Sequence, residues 1–156
     1  MTLRIALAAL HLIALGIGLG AIYCRARAFN RLRDGESALA AVFVADSWWG
    51  IAALLWITTG LWRAIGGFEK PPSYYWSNHV FFAKMGFLVV ILLLEIWPMS
   101  TLIRWRIAAR RTPAVVSPAH VATGRRLARV SDVQTLLILC MVVAAVMMAR
   151  GYGARG

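Results

Sequence analysis

An all-α, four-helix transmembrane bundle is the fold class this sequence predicts, and three observations predict it. First, 61% of the 156 residues are hydrophobic and only 15% are charged, whereas a soluble domain lies nearer half apolar and a quarter charged. Second, the apolar residues gather into four stretches of bilayer-crossing length. Third, the basic residues lie almost entirely between those stretches. Together these exclude an ordinary soluble domain and a disordered chain. The net charge of +11 does not read as a nucleic-acid surface, because apolar segments interrupt it. Cys24 and Cys140 are far apart, so neither a disulfide framework nor a CxxC motif is present.

The four stretches run from Leu3 to Cys24, from about Leu39 to Leu61, from Val80 to Ile103, and from Ser131 or Val133 to Ala149. A crossing needs about 20 apolar residues at about 1.5 Å each. Backbone groups in lipid must pair within their own segment, which makes each stretch a helix. The first reads as a retained helix and not a cleaved leader. Its apolar run continues into Cys24-Arg25-Ala26-Arg27, and Tyr23 stands where a lipoprotein site needs a small residue. Whole-chain length predicts one domain, and short connections between successive helices predict up-down topology.

Orientation follows from the arginines. Arg25, Arg27, Arg31 and Arg33 follow the first stretch. Arg104, Arg106, Arg110, Arg111, Arg125, Arg126 and Arg129 follow the third, which puts 11 basic residues on one side. The other side carries Arg4, Arg63, Lys70, Arg150 and Arg155. The heavier side is expected to be cytoplasmic, with both termini outside, as in a multi-pass protein of a bacterial inner membrane. Pro71-Pro72 is expected to stop the second helix. Tyr74, Tyr75 and Trp76 read as an interfacial aromatic belt, with closure over a ligand as the alternative. Ser77 or Asn78 is placed to cap the next helix. On the inner side, Pro118 to Val130 reads as a short helix lying on anionic lipid.

Ionisable groups inside a bilayer cost about 2.5–3.5 kcal/mol each on insertion scales, and they usually face the bundle interior. His11, Asp46, Lys84 and Glu95 are such groups. At helical rise they sort into two layers, His11 with Lys84 about 7–12 Å below the outer surface and Asp46 with Glu95 about 10–12 Å above the inner one. Lys84, Leu88, Ile91 and Glu95 share one helical face, as do His11, Ala14, Gly18, Ala21 and Arg25. Gly50, Ala53, Ile57 and Gly60 form a small-residue stripe, and Gly16 and Gly20 form a GxxxG on another face. Each polar group has a structural reading: a cross-helix hydrogen bond for His11, snorkelling for Lys84, and pairing of Asp46 and Glu95 with an inner arginine such as Arg104. Asp132 fits a capping box, Ser131-Asp132-Val133-Gln134, at the start of the last helix.

The chemistry open to this set is limited. A histidine can ligate haem iron between facing helices, a lysine beside it can pair with a propionate, and two carboxylates in one layer can share a proton. His79 and His120, the other histidines, are poorly placed for a second axial bond. No serine-protease set, zinc cluster, P-loop or nucleotide fingerprint is present.

The segments ALHLIALGIGLGAIYCRARAF, DSWWGIAALLWITTGLWRA, EKPPSYYWSNHVFFAKMGF and IWPMSTLIRWR resemble an uncharacterised bacterial four-helix membrane family, the DUF-2214 type. A more distant resemblance is to the HemJ-like membrane protoporphyrinogen oxidases. ALH at His11 resembles that family's first-helix motif, whose histidine is a proposed haem b ligand. AKM at Lys84 resembles its lysine motif, and SDVQTLLIL at Asp132 its fourth-helix start. Where Glu95 and Gln134 stand, the family commonly has a histidine and a proline. The resemblance implies haem b bound through His11, with Lys84 serving the porphyrin. The leading expectation is therefore a haem b-binding membrane protein with a porphyrin or respiratory redox role. His11 is its metal ligand and Lys84 its cofactor-binding residue, while Lys84, Asp46 and Glu95 move protons. A proton, ion or small-solute carrier and an accessory subunit are the alternatives. Expected partners are the lipid bilayer, a porphyrin, and a membrane-protein partner or a second copy.

Overall fold

The computed structural model describes residues 2–66, 72–111 and 116–153. Lys70, Pro71 and Arg155, which the sequence places on the outer side or at the stop of the second helix, lie outside the described residues. The described chain consists of α1 (Thr2–Asn30), a 3-10 turn (Leu32–Asp34), α2 (Glu36–Ile65), the short α3 (Pro72–Trp76), α4 (His79–Arg111) and α5 (Pro118–Ala149). Four of these helices are long and apolar enough to cross a membrane. With 29 to 33 residues each, they run to more than about 43 Å, longer than the roughly 30 Å hydrocarbon core. Their arginine-bearing ends therefore reach beyond it.

Gly35 makes the turn between α1 and α2 at φ 96°, a conformation that costs glycine little. Asn78, not Ser77, starts α4: its Oδ1 accepts from the backbone N–H of Val80 at 2.9 Å and Phe81 at 3.3 Å. Its Nδ2 donates to the Tyr152 carbonyl at 3.0 Å, which ties the start of α4 to the end of α5.

The start of α5 corrects two expectations. Pro118 to Val130 is not a separate helix on the lipid surface; it is the opening part of α5 itself. The capping box is built by Ser117 and His120, with Pro118 at the first helical position. Ser117 and Pro118 supply what a helix start needs, a side-chain acceptor and a preset φ, so the helix begins there and not at Ser131. Ser131 is consequently fully buried in mid-helix, and the adjacent Asp132 is exposed.

The long helices pack in the order α2, α1, α5, α4. α1 lies against α2 and α5, and α5 lies against α4, while no comparable backbone packing joins α2 to α4. Two apolar cores result. One contains Ala14, Ile22, Trp49, Trp56, Ile91 and Ile138. The other, at the arginine-rich end, contains Phe29, Leu32, Val42, Leu102 and Leu127. Gly124 makes this second core possible, because a Cβ there would run into the Leu32 side chain and stand 3.2 Å from the Phe29 carbonyl. Pro98 lies inside α4 and faces the interior. Outward, Leu12, Ile13, Leu54, Leu93 and Leu136 are exposed, as a lipid-facing surface requires.

Candidate functional site

Between the two cores lies a polar layer that draws on all four long helices. Its centre is Arg25 of α1, with no exposed surface at all. Both terminal nitrogens grip Glu95 of α4, Nη1 at 2.6 Å from Oε1 and Nη2 at 2.8 Å from Oε2. This is the two-pronged guanidinium–carboxylate geometry that gives the strongest ion-paired hydrogen bonds. Nη1 also donates to Asp46 Oδ1 of α2 at 2.9 Å. From α5, Ser131 Oγ accepts from Nε at 3.3 Å and Gln134 Oε1 from Nη2 at 3.1 Å.

Neighbours complete the layer. Gln134 Nε2 donates to Glu95 Oε2 at 2.8 Å and to the Ile91 carbonyl at 3.2 Å. Arg106 of α4 reaches across to α2, donating to Asp46 Oδ2 at 3.0 Å and to the Phe43 carbonyl at 2.7 Å. Every carboxylate oxygen of Asp46 and Glu95 thus accepts a hydrogen bond. Two arginines balance two carboxylates, which is what burial of ions demands, since each unpaired one costs several kcal/mol.

Sequence reasoning placed Asp46 and Glu95 together, and the structure does bring them onto one guanidinium. It missed that guanidinium. Arg25 was counted with the loop arginines, yet it is buried. Arg104, the proposed partner, instead donates from Nε to the Ser100 carbonyl one turn back. The signal was present in the shared face of His11, Ala14, Gly18, Ala21 and Arg25: four interior positions make the fifth interior too. Ser131 and Gln134 were missed because the helix start was put at their turn.

The second polar group lies toward the opposite end. His11 Nδ1 is 3.0 Å from Thr59 Oγ1 of α2. That hydroxyl donates to the Leu55 carbonyl at 2.6 Å, so toward His11 it acts as the acceptor of an Nδ1–H. The ring nests over Gly60, where a Cβ would stand only 2.9 Å from Cε1. Trp56 lies beside it, ring centroids 6.0 Å apart.

This end forms a half-open cavity of about 510 Å³ that reaches all four long helices and α3, with His11, Trp56, Arg63, Tyr74 and Lys84 on its wall. The remainder of the lining is mainly apolar. That volume and balance fall in the range of small-molecule sites. Lys84 and His11 share the cavity, as the two-layer reading expects. Tyr74 and Tyr75 also line it, the former tied by its hydroxyl to the Met148 carbonyl at 3.0 Å, whereas Trp76 is well exposed. Only Trp76 has the exposure of a pure belt residue. Among the described residues no three His, Cys, Asp or Glu side chains form a metal-holding group.

No match is found among curated proteins or among solved structures. A family model described as "Predicted membrane protein (DUF2214)" matches residues 3–153, nearly the whole chain and all four long helices. The chain belongs to that family and is an integral membrane protein.

Proposed function

We propose that this chain is a membrane-embedded binding protein for a flat, anionic amphiphile of the porphyrin class, haem b being the form expected from the sequence. The observation that carries the reading is that His11 and Lys84 lie on the wall of one largely apolar cavity. The residues present fit haem b in three respects. The imidazole offers Nε2, with Nδ1–H fixed by Thr59, the arrangement by which a second hydrogen-bonded partner orients a metal ligand. A lone histidine would suit an iron whose remaining bonds are supplied mainly by a macrocycle. Lys84 and Arg63 supply positive charge for carboxylates.

In this role Thr59 holds the ring, Lys84 and Arg63 orient the anionic edge, and Tyr74 covers the cavity from α3. A bound haem supplies one-electron chemistry. Lys84 is the group here able both to hold a carboxylate and to pass a proton. Full engagement of the Asp46 and Glu95 oxygens favours a clamp over a relay for that pair. The arginine asymmetry supports a cytoplasmic position for the Arg25 end, termini outside, and alternating helix direction in a bacterial inner membrane.

The test is a titration of the detergent-purified protein with hemin and, separately, with metal-free protoporphyrin. A shifted Soret band that His11→Ala abolishes is expected, with affinity about tenfold weaker in Lys84→Met. Porphyrin binding without a His11-dependent Soret shift keeps the cavity but removes the iron ligand. Binding of neither compound overturns the proposal.

A further inference from the structure

Three residues stand at once on the wall of the cavity and on the outside of the bundle. Leu12 of α1, Leu61 of α2 and Val146 of α5 all line it, yet they are 62%, 46% and 55% exposed. They therefore form part of its rim. All three are apolar and belong to helices long enough to cross a membrane. At about 1.5 Å per residue, Leu12 lies about 14 Å along α1 from Leu3, where the apolar stretch begins. That is well inside a hydrocarbon core of about 30 Å. A rim of leucine and valine around a watery mouth is unfavourable in proportion to the apolar area it exposes, whereas hydrocarbon accepts it.

The side wall of the bundle points the same way. No packing comparable to that of α1 with α2 and α5, or of α5 with α4, joins α2 to α4. Both nevertheless contribute to the cavity, α2 through Ile57 and Leu61, α4 through Met85 and Leu88. None of these four is buried. Side chains that meet across a closed seam bury each other, as Gly18 of α1 does against Trp49 and Ala52 of α2, all three of them buried. Toward the arginine-rich end Arg106 bridges α4 to α2, which leaves the unsealed part of the seam beside the cavity.

We infer that the cavity opens through the wall of the bundle into the bilayer, and that its natural occupant is an amphiphile dissolved in the membrane and not a water-borne solute. The inference rests on the cavity being a ligand site, as proposed above, and adds the phase from which the ligand comes. Polar groups of the bound molecule meet His11 and Lys84, while its apolar flank stays against acyl chains at the rim. Polyanions such as nucleotides are excluded as a class, because ionised groups do not pass through hydrocarbon unpaired. Molecules with one anionic edge and an apolar body remain.

The experiment has two readouts, both on the full chain in phosphatidylcholine liposomes. The first compares two probes on the unmodified chain: protoporphyrin, with two carboxylates, and uroporphyrin, the same macrocycle with eight carboxylates and confined to water. Protoporphyrin is expected to bind and uroporphyrin to show no binding. The second needs no ligand. A nitroxide is attached at Met85→Cys, with Cys24→Ser and Cys140→Ser removing the native thiols. Its relaxation is measured with oxygen, which concentrates in hydrocarbon, and with a nickel chelate, which stays in water. Oxygen is expected to have the larger effect. Uroporphyrin binding as tight as that of protoporphyrin, or a larger effect of nickel at position 85, overturns the inference and leaves the proposed function standing. Oxygen dominating at position 85 with neither porphyrin bound supports the opening to lipid and overturns the proposed function instead. Because the first readout uses the unmodified chain, misfolding of the labelled variant does not hide the answer.

Discussion

The bundle holds two polar groups, and they are built on opposite plans. Around Arg25 of α1 each charge meets an opposite charge, and the acceptors are supplied by the other three long helices. Around His11 a hydrogen bond to Thr59 helps to fix the ring, cations share the wall with apolar groups, and a space of about 510 Å³ separates them. Both lie on the same four helices and begin from the same face of α1. The difference teaches how to tell a fold-defining polar group from a ligand-binding one. Saturation within the protein marks the first, and polar groups arranged around a space mark the second.

The largest expected effect is at the saturated layer. Glu95→Ala strips Arg25 of its two-pronged partner and Gln134 of an acceptor. Breaking a buried pair by removing one member typically costs about 3–5 kcal/mol. Thermal unfolding in detergent should show that loss, while Lys84→Ala at the other tier should cost less. The double variant Arg25→Met with Glu95→Leu should recover much of the stability, since exchanging a buried pair for apolar groups is often neutral. Equal losses from Glu95→Ala and Lys84→Ala would erase the distinction between the tiers.

How much of this was readable in advance follows the same division. Periodicity located the four spans, because lipid exposure imposes a signal that needs no tertiary knowledge. It also paired His11 with Lys84 and Asp46 with Glu95, because depth along a helix is arithmetic at fixed rise. What it lost was the arginine at the centre. An arginine beside a loop ordinarily reaches water, and only the clamp from α2, α4 and α5 makes burial tolerable. The start of α5 was lost for a related reason. The hydrophobic stretch ends near Ser131, but the helix continues through Arg125, Arg126 and Arg129, whose exposed positions alternate with buried Gly124, Leu127 and Ala128. Hydropathy marks the membrane crossing, whereas capping marks the helix.

A smaller effect is expected at Gly60, and it separates packing from exposure by one substitution made twice. Gly60→Ala puts a methyl 2.9 Å from His11 Cε1. The ring must move or its bond to Thr59 must bend, which offsets the helix-propensity gain of up to about 1 kcal/mol. Hemin affinity should fall by about tenfold or more, because an error of about 1 Å in a ligating atom is enough for that. Gly20→Ala, by contrast, meets nothing within 4 Å and should keep the propensity gain of up to about 1 kcal/mol while leaving ligand binding unchanged. A hemin titration of the two variants side by side reads the comparison directly.

The smallest predicted effect is the most specific. Thr59→Val keeps the volume of the side chain but removes the oxygen that accepts from His11 Nδ1 and donates to Leu55. Stability should fall by only about 0.5–1.5 kcal/mol, the usual net worth of a buried hydrogen bond. The tautomer, however, is no longer held. With Nδ1 released, the proton can reside on either nitrogen, and the fraction of rings presenting the Nε2 lone pair to the cavity drops. Thr59→Ser retains the hydroxyl and should behave as the unmodified chain. The ¹⁵N shifts of labelled His11 report the tautomer directly. If they are identical in Thr59→Val and Thr59→Ser, the imidazole is oriented by something other than α2, and the histidine tier loses the one fixed geometric element that distinguishes it from a polar residue facing an apolar space.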